Sequence, residues 1–270
     1  YNIRGYMNSF QFNRVVLLVG SFICIMLYAG DSERVKLEQI DSISPIMQAA
    51  KESTKDTLFL VNIHGTVAVP QDIILRNSNL HNVLMKCIDQ HPDSELLIAD
   101  VFKKADYQLV YYRWPEIIKL IQGNGGTVFG YTNAEDCQCE NGISRIELLA
   151  SKLKALGVDF SKGDTQKNTG IIHLRGEQSF SIQSQKSTPK QIVIIDDMQD
   201  NLNCIMRYQD GSIPLRAMHF NHNEPIVIMP KGWQKVIEYQ ASSLFKAGQY
   251  ISEEDARKIL GYSKKTSRSW

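Results

Sequence analysis

The sequence predicts an α/β fold, an open parallel sheet with helices on both faces. Three observations predict it. The stretches 57–63, 127–132 and 191–197 are almost wholly apolar and of strand length, which suits strands covered on both faces. The segments between them carry apolar residues at helical spacing and end in glycine. The two patterns alternate along the chain, as crossover connections between parallel strands require.

In chain order, 44–53 reads as a polar helical lead-in, followed by the first apolar strand, Thr57-Leu58-Phe59-Leu60-Val61-Asn62-Ile63. Pro115 opens a helix with apolar residues at Ile117, Ile118, Leu120 and Ile121, and Gly123 closes it before the strand Thr127-Val128-Phe129-Gly130-Tyr131-Thr132. Ser144 and Glu147, three apart, form a capping box that leads into a helix through Leu149, Leu153 and Leu156, stopped by Gly157. Short strand text at 170–174 precedes the buried run Gln191-Ile192-Val193-Ile194-Ile195-Asp196-Asp197. A helix at 201–208 and a strand at 214–220 follow. Helices at 232–247 and 252–261 close the chain, the second capped by Ser252 with Glu253, Glu254 and Asp255 in its first turn. The whole reads as a Rossmann-like domain over 31–262. Residues 263–270 read as a flexible basic tail.

With 270 residues, 43% apolar, 22% charged and 5 cysteines, the chain suits one globular domain with at most a small insert. A chain this long buries roughly 70–75% of its unfolded surface, so its core needs no metal or disulfide staple. Thirty basic residues against 29 acidic ones give a net charge of +1, which offers no footprint for nucleic acid. Cys137 and Cys139 are separated by one residue, too close for a zinc knuckle, and no second pair follows.

The amino end is uneven. Arg4 and Arg14 are the only charges in 1–30, and 15–30 is uninterruptedly apolar or small. Read from Met7, this is a basic n-region, an apolar stretch and the small residues Ala29 and Gly30, the pattern of a secretory signal peptide. Sixteen helical residues span about 24 Å, short of the roughly 30 Å hydrocarbon core. The expectation is export to the periplasm or beyond after cleavage. The alternative is an uncleaved anchor in the inner membrane, touching lipid only through 15–30.

Candidate chemistry lies where strands end, because ligands of such sheets bind beyond the carboxyl ends of the strands. Asn62-Ile63-His64-Gly65-Thr66, Thr132-Asn133 and Asp196-Asp197 all stand there. Side chains two apart on a strand share a face, so Asn62 and His64 can converge. An acidic pair at the end of an apolar strand must be solvated, paired or bound to a cation. The expectation is one polar pocket. His173, His219 and His222 have no fixed helical spacing and read as ordinary polar residues rather than metal ligands.

These motifs resemble the haloacid dehalogenase (HAD) superfamily of phosphohydrolases. Its first motif, an apolar strand followed by Asp-x-Asp-Gly-Thr, is similar to the run from Leu58 through Asn62-Ile63-His64-Gly65-Thr66. Its second, a strand ending in Ser or Thr, is similar to the run ending at Thr132; its fourth, a strand ending in an acidic pair, is similar to the run ending at Asp196-Asp197. The text from Leu58 to about His222 also looks like an uncharacterised HAD-like family of bacteria that live inside host cells. The resemblance implies phosphate contacts from Gly65, Thr66, Thr132 and Asn133, and a weak magnesium site at Asp196 and Asp197. It also implies a lysine motif, for which Arg175, Lys186 and Lys190 are the candidates. The 70 positions between Asn62 and Thr132 leave room for a small helical cap at 70–114, with 77–87 and 101–114 as its pieces. Tyr107, Tyr111, Tyr112 and Trp114 form an aromatic cluster within it.

The departures from the family decide the expected function. The family's nucleophile and its general acid and base are both aspartates, and Asn62 and His64 stand in their places. A carboxamide cannot attack phosphorus as a carboxylate does, and it brings no charge to a magnesium ion. His64 can carry a proton near neutral pH, but without a nucleophile the cycle does not complete. The sequence is therefore expected to encode an inactive pseudophosphatase, a binding module for a protein or a phosphorylated small molecule. The alternative is a phosphatase with a rearranged site using His64 and Asp196. No cofactor is expected, magnesium excepted if activity or a residual site remains.

Overall fold

A computed structural model describes residues 34–76, Leu97, Asp100, Val101, 103–132, 143–163, 169–173, 188–207, 212–221 and 232–262. The expected export segment, the cap piece at 77–87, four of the five cysteines and the tail lie outside the described residues.

The centre is a six-stranded parallel sheet built from β1 (Val35–Ile40), β2 (Thr57–Asn62), β5 (Thr127–Thr132), β6 (Ile171–His173), β7 (Gln191–Asp196) and β8 (Leu215–Phe220). Their spatial order is β1-β8-β7-β2-β5-β6. The fold is thus α/β and Rossmann-like, as the apolar runs predict. Every residue of β2 is buried, and its side chains divide by parity between two cores. Phe59 and Val61 pack with Val193, Ile195, Met218 and Phe220 on one face; Leu58 and Leu60 pack with Ile192, Ile194, Leu215 and Ala217 on the other. Period-two alternation inside a continuous apolar run fills both faces of the sheet.

The first face is covered by α1 (Ser44–Lys51), α3 (Trp114–Gly123) and α4 (Arg145–Ala155), through Ile46 and Met47, Trp114, Ile117 and Ile121, and Leu149 and Leu153. The second is covered by α5 (Gln199–Arg207) through Leu202. The capping box is present: Ser144 Oγ accepts from the Glu147 amide at 3.1 Å, and Glu147 Oε2 accepts from the Ser144 amide at 2.8 Å.

Two features depart from expectation. Val35-Lys36-Leu37-Glu38-Gln39-Ile40 is a strand at the sheet edge, which the search for continuous apolar runs overlooks because an edge strand is largely exposed and half polar. The stretch 101–114 is only partly helical. Val101, Lys103 and Lys104 are helical, but Tyr107–Leu109 is a strand, β4, paired antiparallel with β3 (Ala68–Pro70). This ribbon grows directly from the end of β2, held by the Val110 amide donating to Val67 O at 3.0 Å. Three-residue strands carry too little pattern to be seen in the sequence.

A short helix, α2 (Ile73–Arg76), follows β3. The two strands of the ribbon therefore bracket an insert, of which 71–76, Leu97, Asp100, Val101 and 103–106 are described. The last two helices, α6 (Trp233–Ala247) and α7 (Glu253–Ile259), do not extend the sheet's cover. Leu244 and Tyr250 join Ile74, Leu97 and Val101 in a third, separate core.

The edge strand β1 is tied to β8 by Arg216, whose Nε and Nη2 donate to the two Glu38 oxygens at 2.9 Å each. Because the pair is bidentate but partly solvated, Glu38→Ala is expected to lower stability by about 1 kcal/mol. A chemical denaturation midpoint unchanged from the parent would show that the pair contributes nothing to docking β1.

Candidate functional site

The strand order places the switch point of the sheet at β2. The chain runs from β2 to β5 and β6 on one side, then crosses to β7 and β8 on the other. Crevices at such points, beyond the carboxyl ends, are where open sheets bind ligands. Register does the rest: Val61 pairs with Ile195, Asn62 with Tyr131, and Asp196 with His219, so the polar ends of four strands reach one level.

At that level the Asn62 amide is the hub. Its Nδ2 donates to Asp196 Oδ1 at 3.0 Å, Asp197 Oδ1 at 2.9 Å and the His64 carbonyl at 3.0 Å. All three surrounding groups are acceptors, so only the NH2 end of the carboxamide fits there. Its two hydrogens are shared among three oxygens, two of them on neighbouring carboxylates.

The other donors follow the same logic. Asp196, with no exposed surface, also accepts from the Tyr131 hydroxyl, from Asn201 Nδ2 at 3.0 Å and from the Met198 amide at 2.8 Å. Thr66 Oγ1 donates to Asp197 Oδ1 at 2.9 Å and accepts the Asp197 amide at 3.0 Å, clipping the loop after β2 to the loop after β7. Trp114 Nε1 donates to Thr66 O at 2.8 Å, which anchors the first loop to α3. His219 Nε2 donates to the Asp197 carbonyl at 3.0 Å.

Burial pushes the Asp196 carboxyl above its ordinary value, while hydrogen bonds from Tyr131, Met198 and Asn201 pull it back. Burial, then the charge of Asp196, raises the Tyr131 hydroxyl well above its own.

Gly65 makes the close approach possible. Its φ is +88°, and a Cβ built there would stand 2.2 Å from Asp197 Oδ2. Its amide donates to Ala68 O at 3.1 Å. His64 is half-buried; its Nδ1 lies 3.2 Å from Thr132 Oγ1, and its ring is tilted against Tyr107 with centroids 6.0 Å apart.

Asn62, His64, Gly65, Thr66, Thr132, Asp196 and Asp197 are therefore brought together as expected. Lys190 is not. It precedes β7 and stands at the amino edge of the sheet, where its Nζ pairs with Asp56 at 2.7 Å. In a parallel strand the residue before the start and the residue after the end are separated by the strand's full length. Asn133, Arg175 and Lys186 lie outside the described residues. The aromatic residues of 107–114 do not gather into one cluster. Tyr107 faces His64, Tyr111 packs on Phe220, Trp114 is wholly buried, and Tyr112 is 80% exposed. Tyr131, Asn201 and His219 join the site unforeseen in these roles. Their signal in the sequence was position alone: one residue before a strand end, five after Asp196, and one before the end of β8.

The phosphate and magnesium roles expected for these residues do not fit their hydrogen bonds. The Gly65 amide and Thr66 hydroxyl are engaged inside the protein. A magnesium ion is held by oxygens. Between Asp196 and Asp197 stand the amide hydrogens of Asn62, which a cation would meet with like charge. Among the described residues no group of three or more His, Cys, Asp or Glu side chains is placed to hold a metal. The His219 ring is held between the Asp197 carbonyl and the Gln39 side chain.

Chemically, the cluster closes two carboxylates rather than arming one. No helix among the described residues is long and apolar enough to cross a membrane.

Two measurements test this geometry. Gly65→Ala forces a strained φ and a clash with Asp197, and is expected to lower stability by at least about 2 kcal/mol; a melting temperature like the parent's would contradict the close approach. Asp196 is expected to titrate above 3.8 in the folded protein, read from its carboxyl carbon resonance. The native state then holds this proton when the unfolded chain has lost it, so in the window just above 3.8 this group favours folding as pH falls. A midpoint at or below 3.8 would contradict its burial.

Comparison of the chain with protein-family models, with curated proteins and with solved structures finds no match.

Proposed function

We propose that this protein is a HAD-like pseudophosphatase, a scaffold of the phosphohydrolase type that serves as a binding or interaction module and does not hydrolyse phosphate esters. The observation that carries this reading is the Asn62 amide bridging Asp196 and Asp197. A carboxylate at position 62 would be a nucleophile and, with the acidic pair, a cation site. A carboxamide there is neither, and it supplies the positive edge that a cation would otherwise bring to the acidic pair.

The surrounding hydrogen bonds support the same reading. Asp196 accepts from four side-chain or backbone groups and Asp197 from two side chains, so neither is poised to attack a substrate. His64 Nδ1 lies against the Thr132 hydroxyl, a neutral group that does not raise the basicity of the ring as a carboxylate would. Export, as read from the amino end, fits a module that meets its partner outside the cytoplasm.

The purified protein with an aryl phosphate and magnesium is expected to show no turnover above the buffer rate. Turnover that disappears in His64→Ala or Asp196→Ala would overturn the proposal in favour of a rearranged phosphatase. The converse variant, Asn62→Asp, crowds three carboxylates together. It is expected to unfold at lower temperature than the parent in a chelator and to regain stability on adding magnesium, whereas the parent does not respond to the ion. A parent that is stabilised by magnesium as strongly as the variant would contradict the bridging role of Asn62.

A further inference from the structure

The residues linking α6 to the first residue of α7, 248–253, cross the base of the insert and bond to it at both of its ends. At the start of the insert, Asp72 is almost fully buried; it accepts from the Tyr250 hydroxyl and, at 3.2 Å, from the Glu253 amide. At its far end, Asp100 Oδ2 accepts from the Tyr250 amide at 3.0 Å, and Lys104 Nζ donates both to Asp100 Oδ2 at 2.9 Å and to Tyr250 O at 3.1 Å. Tyr250 thus uses its amide, its carbonyl and its hydroxyl on the insert, and its ring fills the core shared with Ile74, Leu97 and Val101.

The same segment is fixed to its own helix by Gln240 Nε2 donating to Ile251 O at 2.9 Å, and by Ser243 Oγ donating to Gln249 O at 3.1 Å. On the other side, the insert reaches the candidate site. Gln71 binds β4 through its amide to Asp106 O at 2.8 Å and its side chain to Tyr107 O at 3.1 Å, and Tyr107 lies against the His64 ring. A continuous line of contacts runs from the strap to Asp72, its neighbour Gln71, then Tyr107 and His64.

We propose that residues 248–253 act as a strap that locks the ribbon and the base of the insert in place, and so set access to His64 at the carboxyl edge of the sheet. The strap comes from a part of the chain 146 to 181 residues away from its partners, so the site's exposure is governed by a distant segment rather than by the loops that form it. Elements held by a few buried hydrogen bonds and a small separate core are those that open below the global unfolding free energy. This inference does not depend on what the site binds.

The experiment uses the full chain and Tyr250→Phe, which removes only the hydroxyl to Asp72. Native-state hydrogen exchange is read at the amides of Gln71, Ala105 and Val110, with the central-sheet amides of Leu60 and Ile194 as reference. Modification of His64 by diethyl pyrocarbonate is followed by peptide mass mapping. The insert amides are expected to exchange about tenfold faster relative to the reference amides, with His64 modified faster in step. Equal acceleration at insert and reference amides would mean that Tyr250 supports only global stability, and would overturn the proposal. So would faster insert exchange with an unchanged His64 rate. Should Tyr250→Phe fail to fold, Asp72→Asn is read by the same criteria.

Discussion

Two adjacent carboxylates at the end of a buried apolar strand must be matched by hydrogen donors or by a cation, and the arrangement of the carboxyl edge follows from that need. Asp196 is fully buried, so each of its lone pairs requires a partner drawn from protein. Asn62 from β2, Tyr131 from β5 and Asn201 from α5 supply them, and in doing so they fix the ends of three elements to one another. Thr66 performs the same service for Asp197. The Asn62 amide thus meets a buried carboxylate and its half-buried neighbour with hydrogen donors from the protein itself.

The constraint passes outward through the loop after β2. Gly65 must be glycine for the loop to come so near Asp197, and Trp114 holds Thr66 from behind. From that loop grows the ribbon of β3 and β4, and from the ribbon the insert, whose base is tied to the C-terminal helices. The chain thus has a rigid sheet with cores on two faces and a smaller third core beside it. The two parts meet through Tyr107 and the ribbon, and through Lys152 of α4, whose Nζ donates to Lys103 O and Ala105 O. An accessible histidine at such a junction is exposed or covered according to how firmly the smaller part is held.

Much of this was legible from one-dimensional pattern. Continuous apolar runs marked the interior strands because only strands buried on both faces can afford such text. The capping box at Ser144 and Glu147 and the acidic first turn after Ser252 marked helix starts by local chemistry. What escaped was short, exposed or non-local. β1 is a largely exposed, half-polar edge strand, β3 and β4 are three residues each, and the destination of α6 and α7 depends on a core assembled from segments more than 140 residues apart. The lysine candidates illustrate the same limit: Lys190 lies close to Asp196 in sequence but at the opposite edge in space, because a parallel strand intervenes.

By itself, the sequence determined the fold class, the interior strands and the residues that end them, since burial on both faces and the carboxyl-edge rule depend only on residue type and order. It also placed an amide at 62 and an imidazole at 64 beside the acidic pair that ends β7. Tertiary structure decided what those residues do. That the Asn62 amide turns its hydrogens to Asp196 and Asp197 follows from strand register and from the surrounding acceptors. That the last helices hold the insert follows from packing between distant segments, which no local pattern encodes.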